Sequence, residues 1–198
     1  MKKSAIIAAA IASLVAGSAT ADNTVYGAAH ASILNQDIVG GAKNWAVVTN
    51  TSKLGFKGSE DLGNGMKATY QMEMSYDLTD GAGIGGARNS YVGLAGDFGE
   101  VRLGRHDTPA KSAFYAGGND HIGDSVVDLN GTFGFAEVRA DDVIAYLSPA
   151  YGDVKYAVAV APGEGNGTTA GDGLTDAVSL GVMYAAGPFK AGLGIQDT

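Results

Sequence analysis

Between Met66 and Tyr76 the chain alternates without a break. Met66, Ala68, Tyr70, Met72, Met74 and Tyr76 are apolar or aromatic, while Lys67, Thr69, Gln71, Glu73 and Ser75 between them are polar. Period two sends the two sets to opposite faces of a strand, and about eleven residues is the length a tilted transmembrane β-strand needs. A strand of a soluble sandwich is typically nearer five or six. Val154 to Ala161 repeats the pattern with Val154, Tyr156, Val158 and Val160 on one face, and Phe189 to Gln196 does so with Phe189, Ala191, Leu193 and Ile195. Weaker alternation covers 24–34, 52–58, 88–95, 100–106, 140–148 and 177–185. About nine strands are predicted.

The connections between them alternate in length. Asp61 to Gly65, Gly96 to Gly99, Pro149 to Asp153 and Ala186 to Pro188 are short and rich in turn formers, whereas 35–51, 77–87, 107–139 and 162–176 are long. Short turns on one rim and long loops on the other describe a transmembrane antiparallel up-and-down β-barrel, an all-β fold. Tyr26, Tyr70, Tyr76, Tyr91, Tyr146, Tyr156 and Tyr184 lie within or at the ends of the strands. Several are suited to aromatic girdles at the membrane interfaces, although β-propensity accounts for any one of them.

The N-terminus adds a compartment. Met1-Lys2-Lys3, the apolar run Ala5 to Ala12 and the triplet Ala19-Thr20-Ala21 have the order of a secretory signal peptide, and the run is too short to span a bilayer as a helix. Residues 1–21 are expected to be removed, leaving 22–198 as the barrel domain. Removing Lys2 and Lys3 takes the net charge from −8 to −10, which argues against nucleic acid as a partner. The absence of Cys excludes disulfides and thiolate metal sites. With 31 Gly against 4 Pro, many turns and close backbone approaches are expected in place of Pro-rich linkers.

Other chemistry is weakly signalled. Gly81 to Gly86 satisfies the G-x-G-x-x-G pattern but precedes a strand, with no helix after it. His30, His106 and His121 lack metal-ligand spacing, and no Ser, His and carboxylate are brought together by the sequence. The acidic long loop lacks the ligand order and the Gly of an EF-hand. Neither an enzyme nor a cofactor is implied. The principal alternative is a secreted soluble β-sheet binding protein, in which the two faces would be core and solvent; a barrel with an enzymatic rim is a second.

The segments Thr24-Val25-Tyr26-Gly27, Ser52 to Gly65, Arg88 to Gly99, Val101 to Pro109 and Ala140 to Pro149 are similar to those of the general trimeric porins of Gram-negative bacteria, nearest the proteobacterial kind. The likeness covers nearly the whole chain. It implies a sixteen-stranded barrel, a passive diffusion channel for ions and small hydrophilic solutes, a homotrimer, and a setting among outer-membrane lipid and lipopolysaccharide. It also implies that the loop after the fifth strand, about 107–139, folds inward as a constriction loop. Asp120, Asp124 and Asp128 on that loop would then face a basic wall cluster of Lys53, Arg88 and Arg139. Opposed charges about a narrow aperture interact more strongly than in bulk water and orient permeating solutes. Ala28 stands where many relatives carry a basic residue, which implies a thinner cluster. An odd ninth strand ending near Thr198 is expected to belong to a longer chain, because a simple up-and-down barrel closes on an even count.

Overall fold

A computed structural model describes residues 21–37, 43–118, 124, 128, 137–163 and 173–197. Its strands in chain order are β1 (Ala21–Ala28), β2 (Ala31–Asp37), β3 (Lys43–Thr49), β4 (Lys53–Gly63), β5 (Met66–Asp77), β6 (Gly83–Gly96), β7 (Gly99–Asp107), β8 (Arg139–Leu147), β9 (Val154–Ala161), β10 (Ala177–Ala186) and β11 (Phe189–Asp197). Among the described residues a helix, α1 (Pro109–Ala116), follows β7. Nine strands form a single antiparallel sheet in the order β1-β4-β5-β6-β7-β8-β9-β10-β11, and β2 pairs with β3 alone. Each strand of the large sheet therefore lies beside its neighbour in sequence once the β2–β3 hairpin is bypassed, which is the connectivity of an up-and-down meander.

The register turns the alternation into continuous rows. Ala68, Leu94, Val101, Tyr146, Val158, Leu180 and Ile195 are partners from strand to strand, and Tyr70, Val92, Leu103, Ile144, Val160 and Val178 form the next row. These rows are not a buried core: Val92 is 49% and Ile195 is 64% exposed. An apolar face of this extent left open to solvent fits hydrocarbon on that side. The buried hydrophobic cluster is small, Val143, Ala145 and Ala159, and lies on the opposite face.

Turn chemistry follows the short connections. Between β4 and β5, Asn64 and Gly65 both have positive φ (54° and 76°), as the tight turns that match strand twist require. At the same rim Tyr151 stacks on Tyr156 with centroids 6.1 Å apart, Tyr146 lies 6.0 Å from Tyr156, and the Tyr146 hydroxyl donates to the Phe98 carbonyl at 2.7 Å. Aromatic rings with tethered hydroxyls suit a membrane interface.

Several expectations need correction, for β6 begins inside the predicted connection 77–87 and α1 lies inside the predicted connection 107–139. The predicted strand 24–34 is broken at Ala29-His30, and the predicted long connection 35–51 contains β3. The break is made by a side chain: the Ser52 hydroxyl accepts from His30 N at 2.8 Å and donates to His30 O at 3.0 Å, while Asn50 N donates to the same carbonyl at 2.8 Å. These bonds replace ladder bonds, so the hairpin leaves the large sheet. Its residues Ile33, Trp45 and Val47 are 71%, 73% and 60% exposed. Trp45 is the sole Trp, so its emission reports this hairpin alone. In protein reconstituted into vesicles the emission should be red-shifted and quenched by aqueous iodide. A blue-shifted emission protected from iodide would show that the hairpin is covered.

Candidate functional site: a charged inner face

The face opposite the apolar rows carries three clusters of polar side chains. The first centres on Glu73 of β5, 4% exposed. Tyr26 Oη donates to Glu73 Oε2 at 2.9 Å, Arg88 Nε donates to Glu73 Oε1 at 2.6 Å, and Lys53 Nζ lies 3.7 Å from Glu73 Oε2. Gln71 Nε2 in turn donates to Tyr26 Oη at 2.7 Å. Gly55 stands between Tyr26 and Glu73 in register, and a methyl group there would lie 2.5 Å from Tyr26 Cζ. The missing side chain is what lets the phenol cross to the carboxylate.

A bulge delivers the cation. Met72 pairs with Ser90 and Met74 with Ala87, so two steps on β5 span three on β6. Arg88 and Asn89 both stand opposite Glu73 in this stretch, and both turn inward, which unbulged alternation forbids. Arg88 reaches Glu73, and Asn89 reaches the second cluster.

That second cluster forms the root of the segment after β7. Asp107 Oδ1 lies 2.9 Å from Arg139 Nη2 and 3.2 Å from Lys111 Nζ, and Asn89 Nδ2 donates to Asp107 Oδ2 at 2.8 Å. Asn89 Oδ1 accepts from Arg139 Nε at 2.8 Å and from Asp107 N at 3.0 Å. Lys111 Nζ is also 3.8 Å from Glu137 Oε2, and the Tyr115 hydroxyl donates to the same carboxylate. Although Oδ1 of Asp107 lacks a hydrogen bond of good geometry, two cations stand against it, so charge rather than directional bonding holds it. Both ends of the loop are thereby closed at its base, with Thr108 N donating to Val138 O at 3.1 Å.

The third cluster lies along β7. Arg102 Nη2 is 2.8 Å from Glu100 Oε2, Thr69 Oγ1 donates to Glu100 Oε1 at 2.6 Å, and the guanidinium lies 4.3 Å from the Tyr91 ring centre. Arg102 Nη1 donates to His106 Nε2 at 2.6 Å. The imidazole is therefore neutral, with its Nδ1 proton directed at the Asp107 carbonyl, 2.6 Å away. Tyr91 meets the imidazole edge to face at 5.2 Å.

Helix α1 begins at an N-cap, Thr108, whose hydroxyl accepts from Lys111 N at 3.3 Å, with Pro109 at the first helical turn. It lies on the inner face of β9, β10 and β11. Helix α1, the described start of the segment after β7, thus lies against the inner face and not away from it.

Of the residues singled out from the sequence, Lys53 and Arg88 meet at Glu73, and Arg139 stands apart from them at Asp107. Asp120 lies outside the described residues. Asp124 has positive φ, 58°, and its N donates to Asp128 Oδ2 at 3.1 Å. The acids Glu73, Asp107 and Glu100 were not singled out as site residues. Their signal was present for Glu73 and Glu100, an acid on the polar parity of a membrane strand, but pairing across the sheet was needed to interpret it.

A family model described as Gram-negative porin matches residues 7–198. The major outer membrane protein P.IB of Neisseria meningitidis serogroup B is 37% identical over 171 residues, covering 80% of this chain and 50% of that protein. The outer membrane porin protein 32 of Delftia acidovorans is 30% identical over 216 residues, covering 100% of this chain and 60% of that protein. Among solved structures, the anion-selective porin from Comamonas acidovorans superposes with a TM-score of 0.67 at 28% identity, covering 89% of this chain and 57% of that one. The chain spans about half to three-fifths of the length of these relatives. Its place is the bacterial outer membrane, and nothing in these likenesses favours a secreted soluble binding protein.

Proposed function

The chain belongs to the Gram-negative porin family, and on that premise we propose that the protein is a passive, water-filled diffusion channel for ions and small hydrophilic solutes across the outer membrane. The observation that carries this reading is the two-faced sheet: one face carries continuous apolar rows, and the other is lined by Glu73, Lys53, Arg88, Arg102, Asp107 and Arg139 and has α1 folded back upon it. Charged side chains at the depth of a membrane strand must face a water-filled interior. Cations and acids interleaved along that interior produce a local field that acts on solutes without any energy source. The protein works as a channel and not as an enzyme.

The finer parts of the proposal rest on the family. Residues 1–21 direct export, the intact protein is a homotrimer, and the outward face meets outer-membrane lipid and lipopolysaccharide. The segment 107–139 narrows the pore, with Asp120, Asp124 and Asp128 facing the wall cations Lys53, Arg88 and Arg139. The test is single-channel conductance in a planar bilayer after refolding in detergent, beside a variant with the three aspartates changed to Asn. Large stepwise conductance that shifts toward anions in the variant is expected. Conductance indifferent to the change would remove those carboxylates from the aperture. A protein that folds without detergent and conducts nothing would end the channel reading.

A further inference from the structure

Where α1 lies on the wall, three of the wall positions beneath its backbone are glycines. Gly181 of β10 is the register partner of Gly194 of β11, and Gly192 lies on the same face two residues before Gly194. A methyl group on Gly194 would lie 2.5 Å from Ala110 Cα and 2.7 Å from the Ala110 carbonyl oxygen. One on Gly181 would strike the Pro109 carbonyl and lie 3.2 Å from Ala113 Cβ, and one on Gly192 would overlap the Ala113 carbonyl. The helix backbone therefore rests directly on the strand backbone, the close approach for which a glycine in a strand interior is suited. Polar bonds register it there. Ser179, 4% exposed, accepts from Ala110 N through its hydroxyl at 3.0 Å, and Thr108 Oγ1 donates to Gln196 Oε1 at 2.9 Å.

We infer that Gly181, Gly192 and Gly194 form a steric seat, with Ser179 and Gln196 as its latch, that sets how far α1 stands from the wall and so determines the width of the pore. The inference rests on the channel reading. The wall is the stiffer partner: β10 and β11 pair without a register shift from Val178 and Asp197 to Ala186 and Phe189. The helix, in contrast, is one short element held at its base by Asp107 and Val138. A side chain added to the seat moves the helix, because a packed interior does not absorb a methyl group without displacement.

The test compares Gly192→Ala with Gly86→Ala, since a methyl group on Gly86 of β6 meets open space. The readouts are single-channel conductance and the size cut-off for neutral polyethylene glycols. Gly192→Ala is expected to lower both as α1 is pushed inward, with Gly86→Ala unchanged. A rise in both, confined to Gly192→Ala, would equally show the helix leaving its seat. The double variant Ser179→Ala with Gln196→Ala adds no volume, and it should flicker between conductance levels; it carries the test if Gly192→Ala fails to assemble. Wild-type conductance and cut-off in each variant that assembles would overturn the seat. Absence of conductance from the wild-type protein would instead overturn the channel reading on which it rests.

Discussion

A lysine at Val92 is expected to destabilise the folded protein in lipid by up to about 2–4 kcal/mol, the cost of a cation on the lipid-facing surface, which is greatest at the bilayer midplane and falls toward the interfaces. Val92 lies in the row Tyr70, Val92, Leu103 and Ile144, one register step in from the row that contains Tyr146 of the short-turn rim. It is 49% exposed on the apolar face. The measurement is equilibrium unfolding by guanidinium from phosphatidylcholine vesicles, with Ala28→Lys as comparison. Ala28 is the partner of Lys53, so its side chain shares the inner face. The new cation there should cost far less, because water solvates it. Equal losses from the two variants would contradict the assignment of faces.

Replacing Glu73 by Gln is expected to shift the reversal potential in a salt gradient toward anions, more than any of the loop aspartates changed singly. The carboxylate receives Tyr26, Arg88 and Lys53 together, and its side chain is only 5% exposed. Gln keeps the shape and one acceptor but removes the charge, so Arg88 and Lys53 lose their common counter-charge and the field along the lumen becomes more positive. Loss of charge-assisted bonds at a buried carboxylate costs about 1–3 kcal/mol. Barrel assembly, read from heat modifiability in gels, must therefore be checked first. Glu73→Asp keeps the charge and should hold the wild-type potential. A Gln variant that assembles with unchanged selectivity would mean that the Glu73 cluster lies off the path of the ions.

The strands were legible because their signal is local. Met66 to Tyr76 declares a two-faced strand in its own letters, and the observed β5 runs Met66–Asp77. The tight turns were legible for the same reason, since Asn64-Gly65 tolerates positive φ without help from the rest of the fold. The break at Ala29-His30 was not legible. The alternation from Thr24 to Leu34 continues across it, and the agent that interrupts the ladder, Ser52, lies on another strand. Helix α1 had a readable start in Thr108-Pro109, an N-cap followed by a proline. The eight residues of α1 are too few for a helical period to declare itself beyond that start.

The candidate site divides along the same line. Lys53, Arg88 and Arg139 could be placed on the inner face by parity, but their counter-charges could not be named. Arg88 meets Glu73 because one extra residue on β6 turns two consecutive side chains the same way, and a bulge of that kind appears only when two strands are paired. Arg139 meets Asp107 because β7 and β8 are neighbours across a connection of more than thirty residues. The sequence by itself determined the membrane-strand period, the alternation of short and long connections and which face of each strand is polar, because all of these depend on near neighbours in the chain. Only the tertiary structure decided which charges neutralise one another and where the inward helix rests. Those depend on register and on backbone contact between α1 and β11, elements about eighty residues apart, and no local pattern carries information across that separation.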